Sequence, residues 1–380
     1  MTLHDAIRLH PVRTRREWKR FHRLPAAIQA GRGQWIQPLA LHARQMWAPR
    51  HPWFRHAQAM AWVAVRDGVP VGRISAQVDR LQAEAGRPTL GLFGQLEGVD
   101  DPAVFQALLD GAGEWLREQG MTQMQGPFDL SINQQCGVLV DGFEHSPMMM
   151  MNYNPPWYPR HLEQAGLQKQ ADLLAYRGPA DFVLPPRVER MIARLQRRFE
   201  IRALARAELG AMAETLRAVF NASWADNWGF VPLTQEEFVH LVGEMKILVR
   251  PGYVQVARID GRAVGFIVTL PDLNELIADL HGKLWPTGAV KLLWRLARRR
   301  NRAVRIPLMG ILPEYQQTAM GAAIVYALIR TAQGPALADG IELSEQSWIL
   351  EDNRGMCSIV ESIGMQPAQR FRIYGRSLSA

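Results

Sequence analysis

The chain has 380 residues, 48% of them hydrophobic, which is enough for one large core or two ordinary ones, and no apolar run reaches the length of a membrane span. Cys136 and Cys357 are the only cysteines and have no metal-ligand spacing, so a disulfide scaffold is excluded and a reduced, cytoplasmic protein is expected. A net charge of +8 predicts polyanionic company, whether nucleic acid, an anionic lipid surface or a phosphorylated cofactor.

The basic start "MTLHDAIRLHPVRTRREWKRF" lacks the apolar block of a signal peptide. The first clear element is "AVRDGVPVGRI" (64–74), which reads as strand, Asp-Gly turn, strand. A strand "LGLFGQL" and a helix "PAVFQALLDGAGEWLREQ" follow, then a further strand, a short helix ending at Gly166 and a terminal strand. Three prolines in "RGPADFVLPPRVERM" interrupt regular structure and mark a seam. Beyond it the same order returns. "ARIDGRAVGFI" (257–267) repeats the hairpin, and its Val-Gly pair lies 264 − 71 = 193 residues after the first. "LEQAGLQKQADLLAY" aligns without gaps on "VESIGMQPAQRFRIY", with Gly166 and Gly364 separated by 364 − 166 = 198 residues. Two matched segments at nearly one offset predict duplicated domains, 1–183 and 190–380. The fold class expected is α+β, each domain a mixed, mostly antiparallel sheet with flanking helices in a three-layer arrangement.

The halves differ where the long helix begins. In the first, "EGVDDPAVF" offers Asp101 as N-cap and Pro102 at the first helical position. That helix start caps itself and puts negative charge where an anion would sit. In the second, "GILPEYQQTAMGAA" offers amides, Gln316, Gln317 and the Thr318 hydroxyl, with Ala319, Met320 and Gly321 opening the helix. Free N–H groups and a helix dipole converge there on a point suited to phosphate. The plainer reading is a buried strand followed by a tight helix start.

"LPEYQQTAMGAA" resembles the acyl-CoA loop of the GNAT N-acyltransferase superfamily, Gln/Arg-x-x-Gly-x-Gly/Ala, with Gln316, Ala319 and Gly321 at its defining positions. "EDNRGMCSIVESIGM" resembles that family's Asn-containing strand-to-helix turn, with Asn353, Gly364 and Met365 matching. The helix Tyr that often serves as general acid there is Val360 in this chain. Across nearly the whole length, "GPFDLSINQQCGVLVDGF", "MNYNPPWYPRHLEQAG", "NASWADNWGFVPLT", "LPDLNELI" and "SWILEDN" resemble a group of bacterial tandem-GNAT proteins that includes bacterial ceramide synthases. The resemblance implies that residues 1–183 form a degenerate domain without a phosphate loop and 190–380 the acyl-thioester-binding domain. It implies backbone contacts to acyl-CoA, or to an acyl carrier protein thioester, from Met309, Gly310 and Ile311, joined by residues 316–321 and Asn353. The acceptor it implies is a sphingoid-base-like amine, placing the chain in sphingolipid biosynthesis.

Other candidates come from the residues themselves. In "IELSEQSWILEDN" period-two alternation puts Glu345 and Ser347 on one face of an apolar strand. A carboxylate there is costly unless it has a partner or a function. Glu345 is the candidate proton acceptor for the attacking amine, and a structural ion pair with an arginine is the alternative. Asn227, Trp228, Asp272 and Asn274 combine polar groups with an aromatic side chain and could line an amphiphile's head group; ordinary caps and turns explain them equally well. The Met run in "HSPMMMMNYNPPWYP" reads mainly as core filling. The ten histidines form no metal-binding pattern, and no metal is expected.

Before the loop strand the second half inserts "HGKLWPTGAVKLLWRLARRRNR". On a helix, Lys291, Arg295, Arg298 and Arg302 share a basic face, and Val290, Leu293, Trp294 and Ala297 an apolar one. This pattern suits an interfacial helix, and hence peripheral association of residues 290–302 with the cytoplasmic face of an anionic membrane. A helix packed on the domain with a solvated basic face is the alternative. The function expected is N-acylation of an amphipathic amine from an acyl-thioester. The rivals are a tandem transferase moving aminoacyl groups from tRNA, which the basic charge also fits, and a non-catalytic lipid- or CoA-binding module, which the absence of a Tyr at position 360 fits.

Overall fold

Residues 7–378 are described by a computed structural model. They fall into two compact units, one formed by the chain up to Asp172 with Leu280–Lys283 and the residues from Gln369, the other by Leu173–Asp279 and Leu284–Ala368. Each unit therefore contains a strand that the other half of the sequence supplies.

In the first unit the strands are β1 (Arg8–Pro11), β2 (Ala57–Arg66), β3 (Val69–Asp79), β4 (Leu90–Gly98), β5 (Gln123–Gly126) and β6 (Val138–Asp141). In the second they are β7 (Gln168–Pro179, from Leu173 on), β8 (Glu200–Ala203), β9 (Val254–Ile259), β10 (Arg262–Pro271), β11 (Ala303–Ile311) and β12 (Leu343–Leu350). The last strand, β13 (Gln366–Ser377), gives its residues from Gln369 on to the first unit. The first sheet runs β1-β2-β3-β4-β5-β13 with β6 against β13, and the second β7-β12-β11-β10-β9-β8. Within each unit one pair is parallel, β4 with β5 and β11 with β12, and the other pairs are antiparallel.

The duplicated hairpins form as read. Asp67-Gly68 and Asp260-Gly261 all have positive φ, the mirror-image turn whose twist matches the flanking strands. The helix Pro102–Glu118 packs Val104, Phe105, Leu108 and Leu109 into the first core, all fully buried. Its counterpart Ala319–Ala338 is apolar nearly all round and buries Ile324, Ala327 and Leu328. Met148, Met149 and Met151 are buried, in keeping with core filling. Among the described residues no helix is long and apolar enough to cross a membrane.

The exchanged strands are tied in by matching contacts. In the second unit the Tyr176 hydroxyl donates to Glu361 at 2.8 Å; in the first, the Tyr374 hydroxyl donates to Glu163 at 2.9 Å. These are equivalent positions of the repeat used crosswise. Asp172, 1% exposed, accepts from Arg372 at 2.8 Å and Arg370 at 3.0 Å, closing a contact across 200 residues of sequence. Burial alone would raise its carboxyl, but hydrogen bonds from Arg372, Lys169 and Arg370 outweigh that and bring it to about 2. Because the folded value lies below the ordinary 3.8, this contribution is complete above that value and is lost as pH falls toward 2. We expect Asp172→Asn to cost roughly 2 kcal/mol at neutral pH. Urea denaturation should also show a shallower acid loss for the variant between about pH 4 and pH 2 than for wild type.

Candidate active site

The second sheet forks. β11 pairs with β12 only over Ala303–Ile306 against Leu343–Gln346, yet continues along β10 until Ile311 faces Gly265. Among the described residues the β12-side edge of residues 307–311 has no strand partner, and Ile306 to Met309 are only half-buried although they lie in a central strand. The end of the helix Leu209–Trp224 lies over this edge. The Trp224 indole N–H donates to the Met309 carbonyl at 3.3 Å, and Ser223 is so close to Gly310 that an added Cβ would lie 2.9 Å from it. Gln316 Nε2 donates to the Ile311 carbonyl at 3.1 Å and to that of Ser223 at 3.0 Å. Met309, Gly310, Ile311 and Gln316 are thus brought together at the open end of the fork.

The loop after β11 makes a tight turn at Pro313–Tyr315, passes through Gln317 with φ of 57°, and enters the helix at Thr318. The Thr318 hydroxyl accepts from Gly321 N–H at 3.0 Å and donates to the Tyr315 carbonyl at 2.7 Å. Gly321 must be glycine because a Cβ would stand 2.0 Å from that carbonyl oxygen. Capping uses the Gly321 amide. Among the described residues, the N–H groups of Gln317, Ala319 and Met320 have no acceptor, and Gln317, Thr318 and Ala319 are exposed. Glu314, the one carboxylate nearby in sequence, is held by Arg262 at 2.7 Å.

The first unit has the same fork and fills it with its own chain. β4 pairs with β5 over Leu90–Leu92; beyond that, Phe128 N–H donates to the Phe93 carbonyl at 2.7 Å and Gln95 N–H to Asp129 at 3.3 Å. Further along, Gly98 N–H donates to the Tyr158 hydroxyl at 2.9 Å and the Trp157 indole to the Gly98 carbonyl at 3.1 Å. Asp101 caps its helix by accepting from Ala103 N–H at 2.8 Å, while Arg66 holds its other oxygen at 2.6 Å. Arg160 and His161 both bind Asp100 at 2.7 Å. This helix start presents paired carboxylates where the second unit presents free amides.

The remaining sequence candidates divide. Glu345, fully buried, faces Arg305 in the last paired stretch, on the closed side of the fork. It accepts from Arg177 Nε at 2.6 Å and from the Ser347 hydroxyl at 2.6 Å. Arg305 Nε donates to Ser347 Oγ at 2.9 Å and its Nη2 to the Ser347 carbonyl at 3.1 Å. The ion-pair alternative for Glu345 is the one that matches these contacts. Arg305, inside the last paired stretch, meets Ser347, just past it, and the two pin the strands where they part. Asn353 caps the helix Arg354–Ser362 by accepting from Met356 N–H at 3.1 Å. Val360 is fully buried.

Asn227 and the half-buried Trp228 follow Trp224 directly and share its end of the sheet. Asp272 and Asn274 do not. Their cap follows Pro271, opposite Val304, seven residues from Ile311 and therefore about 23 Å away along the strand. The structure does not bring them to the loop. Sequence reasoning missed Arg305, Arg177, Ser223 and Trp224. The charge in "AVRIPLMGIL" was a usable signal for Arg305, whereas Arg177 pairs across 168 residues and had none.

The inserted helix also differs from its reading. It spans Gly288–Ala297, so Arg298 and Arg302 lie beyond its end, and Arg299 turns the chain with φ of 48° toward β11. Lys291 and Arg295 pair with the part-exposed Asp279, Arg295 at 2.6 Å and 2.9 Å, and Arg299 pairs with Asp339. The apolar face is the exposed one: Val290 is 71%, Leu293 59% and Trp294 48% exposed, beside Trp285 at 86%. The polar side is held by Asp279 and the Leu276 carbonyl, while the apolar side is largely exposed, with the Arg300 guanidinium 5.0 Å from the centre of the Trp294 ring.

No protein-family model matches the chain. It is 39% identical over 361 residues to Protein YghO of Escherichia coli (strain K12), covering 95% of this chain and 93% of that one. It is 38% identical over 371 residues to the bacterial ceramide synthase of Caulobacter vibrioides (strain NA1000 / CB15N), covering 97% of each. Among solved structures it resembles a tandem GNAT protein from the clavulanic acid biosynthesis pathway, with TM-score 0.57, 12% identity and 99% of each chain covered. It also resembles a GCN5-related N-acetyltransferase from Sphaerobacter thermophilus, with TM-score 0.55, 14% identity, 100% of this chain and 98% of that one covered. The fold is the α+β arrangement of tandem GNAT proteins.

Two glycines test the loop geometry. Gly321→Ala should displace the Tyr315 carbonyl and cost about 1–3 kcal/mol, as overpacking does. Gly355→Ala, in a helix where the nearest atom to an added Cβ is 3.9 Å away, should be stabilising by about 0.5–1 kcal/mol. Thermal unfolding of both variants checks the contrast.

Proposed function

The chain belongs to the group of tandem GNAT-type N-acyltransferases that includes bacterial ceramide synthase, and on that premise we propose that its second unit transfers a long acyl group from a thioester to an amphipathic amine. The observation that carries this reading is the asymmetry of the forks. One is closed by its own chain and an Asp-capped helix; the other has an open strand edge leading to three free amides. That set of groups fits acyl-CoA, with the thioester and pantetheine arm along Met309–Ile311 and the pyrophosphate at the amides of Gln317, Ala319 and Met320. An acyl carrier protein would present the same thioester and arm.

In the transfer, the neutral amine nitrogen attacks the thioester carbonyl, the carbon–nitrogen bond forms, the carbon–sulfur bond breaks and the sulfur leaves as thiolate. The amine's surplus proton passes to solvent. A thiolate needs little protonation to leave near neutral pH, which accords with a buried Val360 at the position of the usual Tyr. The protein's share is to hold the thioester against oriented N–H groups and position the amine. Glu345 and Ser347 act here as positioning residues through Arg305, keeping the fork open. Asn227 and Trp228 are placed on the acceptor side, and the acceptor class is a sphingoid base.

The exposed face of Trp285, Val290, Leu293 and Trp294 suits delivery of such an acceptor from a membrane surface. Tryptophans and aliphatic side chains enter the head-group boundary, and exposed Arg298 and Arg300 meet anionic lipid.

Calorimetric titration with a non-hydrolysable acyl-CoA tests the loop. Ala319→Asp sets a carboxylate against the pyrophosphate and should weaken binding at least about tenfold. Asp101→Ala should cost about 0.5–2 kcal/mol of stability with binding unchanged. Equal affinity in wild type and Ala319→Asp would remove the loop from the site. For the membrane face, each apolar side chain buried contributes roughly 1.5–3 kcal/mol, so Leu293→Ser with Trp294→Ser should reduce sedimentation with anionic vesicles well over tenfold. Sedimentation equal to wild type would assign that face to something other than lipid.

A further inference from the structure

The positive charge of the chain is not spread along it. Residues 7–55 contain eleven Lys and Arg and one acid, Glu17, a net of 11 − 1 = +10, so the rest of the chain sums to 8 − 10 = −2. The corresponding stretch of the repeat, 199–252, also runs from a first strand through two helices to the hairpin, and it sums to 5 − 7 = −2. Only the first unit has turned this stretch basic.

Five of these cations lie on one helix, Arg15–Ile28. At 100° per residue, Arg15, Arg16, Lys19, Arg20 and Arg23 fall within an arc of about 140° and run along roughly 12 Å of the axis. All five are exposed. The opposite arc holds the helix on its unit: Phe21 and Leu24 are buried, and the Trp18 ring lies 5.0 Å from that of Trp47.

The row has no counter-charge of its own. Among the described residues Arg15, Arg16, Lys19 and Arg23 make no ion pair, and Arg20 donates to the Gly68 carbonyl at 2.8 Å. Glu17 is taken up by the helix cap, accepting from Thr14 N–H at 2.7 Å and Arg13 N–H at 2.8 Å. Arg15 with Lys19, Lys19 with Arg23 and Arg16 with Arg20 are like charges four residues apart, which weakens a helix. The sister helix Leu209–Trp224 has one cation, Arg217, and pairs it with Glu214 at 2.5 Å. A row that costs helix stability and has no acid set against it is arranged for an anion outside the protein.

We propose that this face of the helix Arg15–Ile28 docks electrostatically on an anionic lipid bilayer, so that the unit with the closed fork serves to recruit the chain to a membrane. A nucleic acid fits the row less well. The helix has no Asn, Gln, Ser or Thr to read base edges, and Trp18 is turned toward Trp47 rather than offered for stacking. Beside it, on the short helix Ala40–Met46, Leu41 is 54% exposed and Arg44, three residues on, is exposed as well. One apolar side chain among cations suits shallow adsorption to charged head groups. The inference rests neither on the thioester reading nor on the apolar face of the second unit.

The test sediments the full chain with vesicles of phosphatidylcholine alone and of phosphatidylcholine with phosphatidylglycerol. Each cation at an anionic surface contributes about fivefold in affinity. Arg15→Gln, Lys19→Gln and Arg23→Gln together should therefore weaken binding to the anionic vesicles at least about thirtyfold at low salt, and leave binding to phosphatidylcholine unchanged. Salt should release the wild type far more than this triple variant. Arg15→Lys with Arg23→Lys should bind like wild type, because charge rather than shape is read. The triple variant should be at least as stable as wild type, since like-charge pairs are removed. It should also titrate acyl-CoA normally, while Ala319→Asp should sediment like wild type, so failure of either reading is seen separately. The Leu293→Ser, Trp294→Ser protein should still prefer the anionic vesicles. Equal sedimentation of the triple variant and wild type with those vesicles would overturn the proposal. So would a triple variant that loses binding to a structured RNA and keeps its binding to vesicles, which would assign the row to nucleic acid.

Discussion

The arrangement depends on buried ion clusters that fix borrowed strands in each unit. In the second unit Arg177, from the end of the first half of the sequence, binds Glu345, which in turn holds Ser347 and, through it, Arg305. In the first unit Asp172 binds Arg370 and Arg372 from the far end of the chain. Such clusters add little over well-packed apolar groups, but loss of one partner leaves a charge stranded. A strand that slips by two residues keeps its apolar face toward the core. With these charges it would lose its counter-ions. We read the clusters as devices that set register, and in the second unit the same cluster sits where β11 and β12 part.

Duplication followed by divergence explains the rest. Both units keep the hairpin, the parallel pair that forks and the long helix after it. In one, Phe128, Tyr158 and Asp101 satisfy the backbone groups that the fork and helix start expose. In the other, Trp224 and Gln316 meet the Met309 and Ile311 carbonyls, while the amides of Gln317, Ala319 and Met320 have no acceptor among the described residues. The closed fork and self-capped helix of the first unit, and their open counterparts in the second, are one difference seen twice. It is seen once in the side chains that fill the fork and once in the cap that neutralises the helix end. The same divergence placed Arg73, Ser75 and Gln77 on β3 where the second unit has apolar residues.

Features legible in the chain alone are local or periodic. The Asp-Gly turns need positive φ, so their strands were legible; Asp101-Pro102 announces a capped helix; the paired offsets expose the duplication; and "YQQTAMG" contains no carboxylate after Glu314. Each follows from residues within one turn of one another or from a repeat. Tertiary structure decided what depends on partners far apart in sequence. Glu345 is a plausible base in its own strand and becomes an ion-pair centre only when Arg177 arrives from 168 residues away. Asp272 reads as one of a group with Asn227 until the register of β10 on β11 puts it at the opposite end of the strand from Ile311. The inserted helix has two faces in either setting, and the ion pairs of Lys291 and Arg295 with Asp279 decide which one is held against the unit. Periodicity tells which residues share a face; it cannot tell what that face meets, because that is fixed by contacts the local chain does not contain.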